Sequence, residues 1–253
     1  MTAYAQTNIQ LYNQLGECGY TPADLARVHR GYALAIQLFT ASFRGSGRPF
    51  LSHLVGTASV LAWIRAPIAV VTAGLLHSAY AHGEFGNSWR GMSDAKRARV
   101  RAAVGDEAED LITRYTELRW STETVGTLAD TAASMDEADR RVMLIRLANE
   151  LDDHQDRGLL YVAGVARRRT FIRTSLHRCV EMAERLGHPA LAIELARVLK
   201  ETLTADVPPG LRGPTDDSFL LAPASHSWRA AVVARWILAR LARRIARGRS
   251  PAV

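Results

Sequence analysis

Two consecutive apolar segments, FLSHLVGTASVLAWI at residues 50–64 and IAVVTAGLLHSAYAH at 68–82, constrain this chain more than any other feature. Neither alternates with a period of two, as a half-buried strand would, and neither reaches the ~18 residues of a membrane span. Proline stands at the start of each, Pro49 and Pro67, where a missing backbone N–H costs a helix nothing. The short link between them places the two helices side by side and antiparallel.

The rest of the chain is punctuated in the same way. Thr21-Pro22-Ala23-Asp24 combines an N-cap, a first-turn proline and an acid, so a helix is expected over 22–43, broken by the turn Arg44-Gly45-Ser46-Gly47-Arg48-Pro49. Glycines at 83, 86 and 91 predict a loop over 83–91. Further helices are expected after Ser93-Asp94 and over 106–120, 135–156, 167–186 and 189–204. The prediction is an all-α domain over 1–205, a Pro/Gly-rich linker over 206–225, and a basic amphipathic helix and tail over 226–253.

Charge narrows the function classes. The formal charge is +7, but seven arginines and no acid follow His226, leaving 25 basic against 25 acidic residues in 1–225. The body is neutral, so the terminal helix alone is a candidate for an anionic membrane surface, nucleic acid or a protein partner, or for docking its apolar face on the domain or on a second subunit. No helix-turn-helix or base-reading pattern is present, which argues against sequence-specific DNA binding. Cys18 and Cys179 fit neither a disulfide framework nor a zinc knuckle, and the N-terminus lacks a signal-peptide pattern, so a cytoplasmic location is expected.

His53 and His77, one on each apolar segment, are candidate metal ligands, because a site on a helical scaffold needs imidazoles and carboxylates converging from separate helices. The segments RGSGRPFLSHLVGTASVLA, AGLLHSAYAHGEF and VMLIRLANELDD resemble the three motifs of the HD-domain superfamily. They are most similar to the hydrolase half of RelA/SpoT-type alarmone enzymes, which carry R-x-SG-x-PY-x-x-H, A-x-LLHD-x-x-ED and KLADRLHN. The resemblance covers about residues 22–160, and is nearest to an uncharacterised HD-like group in which His-Ser replaces His-Asp. It implies an HD-like helical bundle whose metal ligands fall on His53, His77, Ser78 and Asn149. The family's acidic pair falls on Ala81 and His82, and a nucleotide-contacting arginine on Arg44.

Serine and asparagine are neutral where that family has carboxylates, so a hard Mn²⁺ or Mg²⁺ is held less strongly and an imidazole-rich set favours Fe or Zn. His82, one turn beyond Ser78, and Glu84, in the following loop, are candidates to compensate, as are Asp152 and Asp153 one turn beyond Asn149, either as a displaced ligand or as a general base. The site read from sequence thus has Glu84, His82 and Asp153 as catalytic groups, Arg44, Arg48 and Tyr80 binding an anionic substrate, and a divalent Mn, Fe or Zn ion. The resemblance implies metal-dependent phosphohydrolase chemistry on a nucleotide or other phosphorylated small molecule. Two other readings remain open: a ligand-binding pseudoenzyme with a degenerate metal site, and an HD-like scaffold repurposed for iron-dependent oxygenase chemistry.

Overall fold

Eleven α-helices account for most of the described chain, and two two-residue strands, Ser42–Phe43 and Phe219–Leu220, are the only strands among the described residues. The computed structural model describes residues 4–86 and 90–221, together with Val233, Ala234, Ile237 and Leu238. The expected basic helix over 226–253 therefore lies outside the described residues apart from those four. Met1–Phe219 form one compact unit, which holds all eleven helices, and Leu220–Val253 form another. No described helix is long and apolar enough to cross a membrane.

The two apolar segments form the centre of the first unit. Helix α3 (Phe50–Trp63) and helix α4 (Ile68–Leu76) are buried along nearly their whole length, with Leu54, Leu61, Val70, Leu75 and Leu76 fully enclosed. Each such side chain contributes about 1.5–3 kcal/mol relative to exposure. Gly74 lets the pair close up, since a Cβ there would lie 2.3 Å from Leu61 Cδ1. Around them pack α1 (Asn8–Glu17), α2 (Pro22–Phe39), α6 (Asp94–Val104), α7 (Asp106–Glu117) and α9 (Glu137–His154), while α8 (Thr124–Thr131), α10 (Val165–Arg185) and α11 (Pro189–Thr204) continue the bundle beyond α9.

Three departures from the sequence reading have local causes. Helix α2 ends at Phe39, not near 43: the Thr40 hydroxyl donates to the Ile36 carbonyl, Ala41 turns left-handed at φ 63°, and Phe43 bridges back to Pro49. The helix after Pro67 breaks at His77-Ser78, leaving a short α5 (Ala79–His82). Helices α1 and α8 were not anticipated, although Thr7 and Gln10 build a reciprocal capping box at the start of α1.

Helix α9 stops abruptly because Asp156 and Arg157 both adopt positive φ, 55° and 60°, inside the 3₁₀ turn Gln155–Tyr161. Non-glycine residues rarely adopt this conformation, so two in succession mark a turn fixed by its surroundings. The segment after α11, read from composition as a linker, lies against this turn: Val207 is buried, Gly213 N–H donates to the Tyr161 carbonyl at 2.6 Å, and Phe219 stacks on Phe43.

Candidate functional site

The site is assembled from the turn before α3, from α3 itself, from the α4–α5 break and from the C-terminal half of α9. Helix α3 presents His53 toward α9 because Gly56, one turn on, has no side chain: a Cβ there would lie 1.8 Å from Asp152 Oδ1. Asp152 is buried against this gap. It accepts His53 Nδ1–H at 2.7 Å and two bonds from Arg48, at 2.8 and 2.9 Å. One carboxylate thus fixes both the imidazole and the turn that leads into its helix.

His77 is fixed differently. Its Nδ1–H donates to the Gly74 carbonyl at 2.7 Å, and its ring meets the His53 ring edge-on with centroids 5.2 Å apart. A carbonyl can only accept, so Nδ1 carries the proton and Nε2 holds a lone pair. Asp152 imposes the same tautomer on His53. Burial pushes the pKa of both imidazoles down, with Arg44 adding to the effect at His53 and the neighbouring His53 at His77, so both are neutral at pH 7. Both Nε2 atoms are buried and without a hydrogen-bond partner. An acceptor left unpaired in this way costs about 1–3 kcal/mol, so each of the two has capacity for a ligand.

Asp153 lies beside them. Arg44 Nη2 donates to its Oδ1 at 2.6 Å, Asn149 Nδ2 to its Oδ2 at 3.3 Å, and His53 Nδ1 is 3.5 Å from Oδ1. Burial alone would raise its pKa, but the Arg44 guanidinium, with His53 and Arg146, holds it well below the carboxylate range. One ring nitrogen of His53 and one oxygen each of Asp152 and Asp153 lie within 4.8 Å of one another, spacing a metal ion can use.

His77 and Asp153 line a cavity of about 270 Å³ together with Ser78, His82, Asn149 and three arginines, Arg44, Arg146 and Arg168. A smaller space of about 130 Å³ adjoins it, sharing Arg44, His82, Asp153 and Arg168 and walled by Asp216–Ser218. Burial and the nearby Arg44 push the His82 pKa down to about 4, so this imidazole too is neutral at pH 7.

Of the residues expected from sequence, the structure brings together His53, His77, Ser78, His82, Asn149, Asp153, Arg44 and Arg48. Two expectations are corrected. Tyr80 is buried on the far side of α5, where its hydroxyl donates to Glu109 Oε1 at 2.9 Å, so its single donor is already used. Glu84 is exposed, its backbone N–H tied to the Leu38 carbonyl, and it lines neither cavity. Sequence reasoning missed Arg146 and Arg168. Arg146 aligns with the lysine that opens the KLADRLHN-type motif and was a readable signal. Arg168 was hidden in a run of three arginines, of which Arg167 and Arg169 pair with Asp216 and Asp206.

Comparison with known proteins gives partial matches. Residues 37–119, which carry His53 and His77 but not α9, match DUF6817, a domain of unknown function. The chain is 27% identical over 179 residues to a probable GTP pyrophosphokinase of Mycobacterium leprae, covering 70% of this chain and 21% of that protein. It is 26% identical over 203 residues to a probable chloroplastic GTP diphosphokinase, RSH3, of Arabidopsis thaliana, covering 78% and 25%. With a GTP pyrophosphokinase of Streptomyces coelicolor the identity is 28% over 176 residues, covering 68% and 19%. This chain therefore spans about a fifth to a quarter of the curated relatives it matches, and it is distantly similar to that part of RelA/SpoT-like GTP pyrophosphokinases.

Proposed function

We propose that the chain is a divergent metal-dependent phosphohydrolase-like enzyme acting on a nucleotide or another phosphorylated small molecule. The observation that carries this reading is the pair of buried, unpartnered Nε2 lone pairs on His53 and His77 beside a cavity with three arginines. Neutral imidazoles suit Zn or Fe, and Asp153 is the nearby carboxylate that can complete the set where Ser78 and Asn149 are neutral. A divalent ion held there supplies Lewis acidity and a water of lowered pKa. Arg44, Arg146 and Arg168 bind and orient the phosphoryl oxygens, which guanidinium groups match with paired donors. His82, neutral and lining both cavities, would take up a proton at its imidazole. The names of the relatives describe phosphoanhydride chemistry on GTP in much longer proteins; what carries over is the substrate class.

A second reading is favoured by one contact. Asp153 is already neutralised by Arg44 at 2.6 Å, as Asp152 is by Arg48, and this suits a module that binds a phosphorylated ligand without turning it over. One experiment separates the two. The purified chain, loaded with Zn²⁺, Fe²⁺ or Mn²⁺, is expected to retain one ion per chain by elemental analysis and to release phosphate or pyrophosphate from guanosine nucleotides, including 3′-pyrophosphorylated ones. His53→Ala/His77→Ala abolishes both. A wild-type protein that retains no metal, yet binds nucleotides as tightly as the double variant does, overturns the enzyme reading in favour of the second.

A further inference from the structure

A further cavity, of about 660 Å³ and larger than the one beside the histidines, lies apart from them. It lies between the segment Trp120–Glu123 and the first turns of α10, with Phe171, Ile172 and Leu159 as apolar walls. It shares Arg146 and Arg168 with the central cavity, and Arg168 lines all three cavities. Its volume is that of a typical small-molecule pocket.

Two features of the lining point to a ligand. The first is a set of unused donors: Trp120 Nε1, Arg146 Nε and Arg168 Nε are all buried and none has a partner. The second is the distribution of charge. The Arg146 guanidinium is stacked 5.0 Å over the Trp120 ring and is tied to Tyr115 Oη, at 3.1 Å, and to Glu150. Arg44, Arg48 and Arg167 have carboxylate partners as well. Arg168 has none among the described residues, although it stands where the three cavities meet. A guanidinium with no ion-pair partner at a junction of cavities is a seat for an anion. The fixed indole beside Phe171 is a wall for a flat apolar group.

We propose that the Trp120–Phe171 cavity is a subsite for the planar, apolar body of an aromatic phosphate, whose anionic group is held by Arg168 at the junction with the central cavity. The subsite rests on the anionic-ligand part of the proposed function, but not on the metal. Isothermal titration of the full chain with 1-naphthyl phosphate and with inorganic phosphate tests it. Burying a naphthyl group is expected to make the aryl ester bind at least about tenfold more tightly than inorganic phosphate. Phe171→Ala removes that preference and leaves inorganic phosphate unchanged, whereas Arg168→Gln weakens both ligands. If Phe171→Ala does not fold, Phe171→Leu keeps the packing and is expected to cut the preference about threefold through loss of the ring contact. Equal affinities in the wild type, a preference that survives these Phe171 changes, or indifference to Arg168→Gln overturns the subsite. A wild-type chain that retains no metal after loading with Zn²⁺, Fe²⁺ or Mn²⁺, yet still prefers the naphthyl ester, overturns the hydrolase reading and leaves the subsite standing.

Discussion

Two buried polar clusters in this domain differ in one respect. Glu109 on α7 accepts from Tyr80, from Thr113, from Arg97 twice and from Arg101, so both its oxygens are fully used. The cluster on α3, α4 and α9 is as carefully oriented but leaves His53 Nε2 and His77 Nε2 without partners. A network built for stability closes on itself, while one built for a ligand keeps atoms in reserve. That difference separates two sets of buried polar groups that sequence alone places on neighbouring helices.

Removing Glu109 is expected to give the largest stability change. Glu109→Ala strands the Tyr80 hydroxyl and the Arg97 guanidinium, while Arg101 keeps Asp106, and should cost roughly 2 kcal/mol or more in chemical denaturation while leaving metal retention per folded chain unchanged. Gly56→Ala comes next. The new methyl meets the Asp152 carboxylate, so α3 and α9 must part, with an expected cost of about 1–3 kcal/mol and, unlike Glu109→Ala, weakened metal retention. A Gly56→Ala protein with wild-type metal content would show that Asp152 does not orient His53.

Acid should then distinguish the clusters by window. Burial raises the Glu109 pKa, but its bonds from Arg97, Thr113 and Tyr80 outweigh this and hold it at about 2. Its contribution is therefore present above the ordinary glutamate value, about 4.3, and lost as pH falls toward 2. His82, pushed down to about 4, contributes above the ordinary histidine value near 6.5 and loses that contribution as pH falls through 4. In metal-free protein, His82→Gln should flatten the stability curve between pH 6.5 and 4, and Glu109→Gln below that. Curves that keep the wild-type slope in both windows would remove the assignment. The smallest change is expected for His77→Asn, whose side-chain amide can keep a donor to the Gly74 carbonyl while the unpartnered Nε2 is removed: stability by denaturation should shift by less than for Glu109→Ala, while metal retention is lost.

Much of the fold was legible because its signals are local. Pro22, Pro67 and Pro189 each mark a helix start within a residue, and the apolar segments of α3 and α4 admit no other burial. Helix α1 was legible too, though not anticipated, since Thr7 and Gln10 carry its capping signal, whereas the break at His77 depends on packing around the Gly74 carbonyl. At the site, His53 and His77 were found through motif spacing. The place of Asp152 was not, because it depends on Gly56 and Arg48, about a hundred residues away in sequence. Arg168 was missed for another reason: in a run of three arginines, successive side chains point about 100° apart around α10, and composition cannot say which one faces inward.

The wall formed by Asp216–Ser218 has a consequence for how the site comes into being. Asp216 accepts from the backbone N–H of Gly164 and from Arg167, and the chain beside it runs so close to Gly45 that a Cβ there would lie 2.7 Å from the Thr215 carbonyl. During synthesis His53 and Arg44 leave the ribosome some 160 residues before this wall does. A nascent chain can therefore assemble the helices and both imidazoles, and still have a pocket open on one side until that final segment arrives.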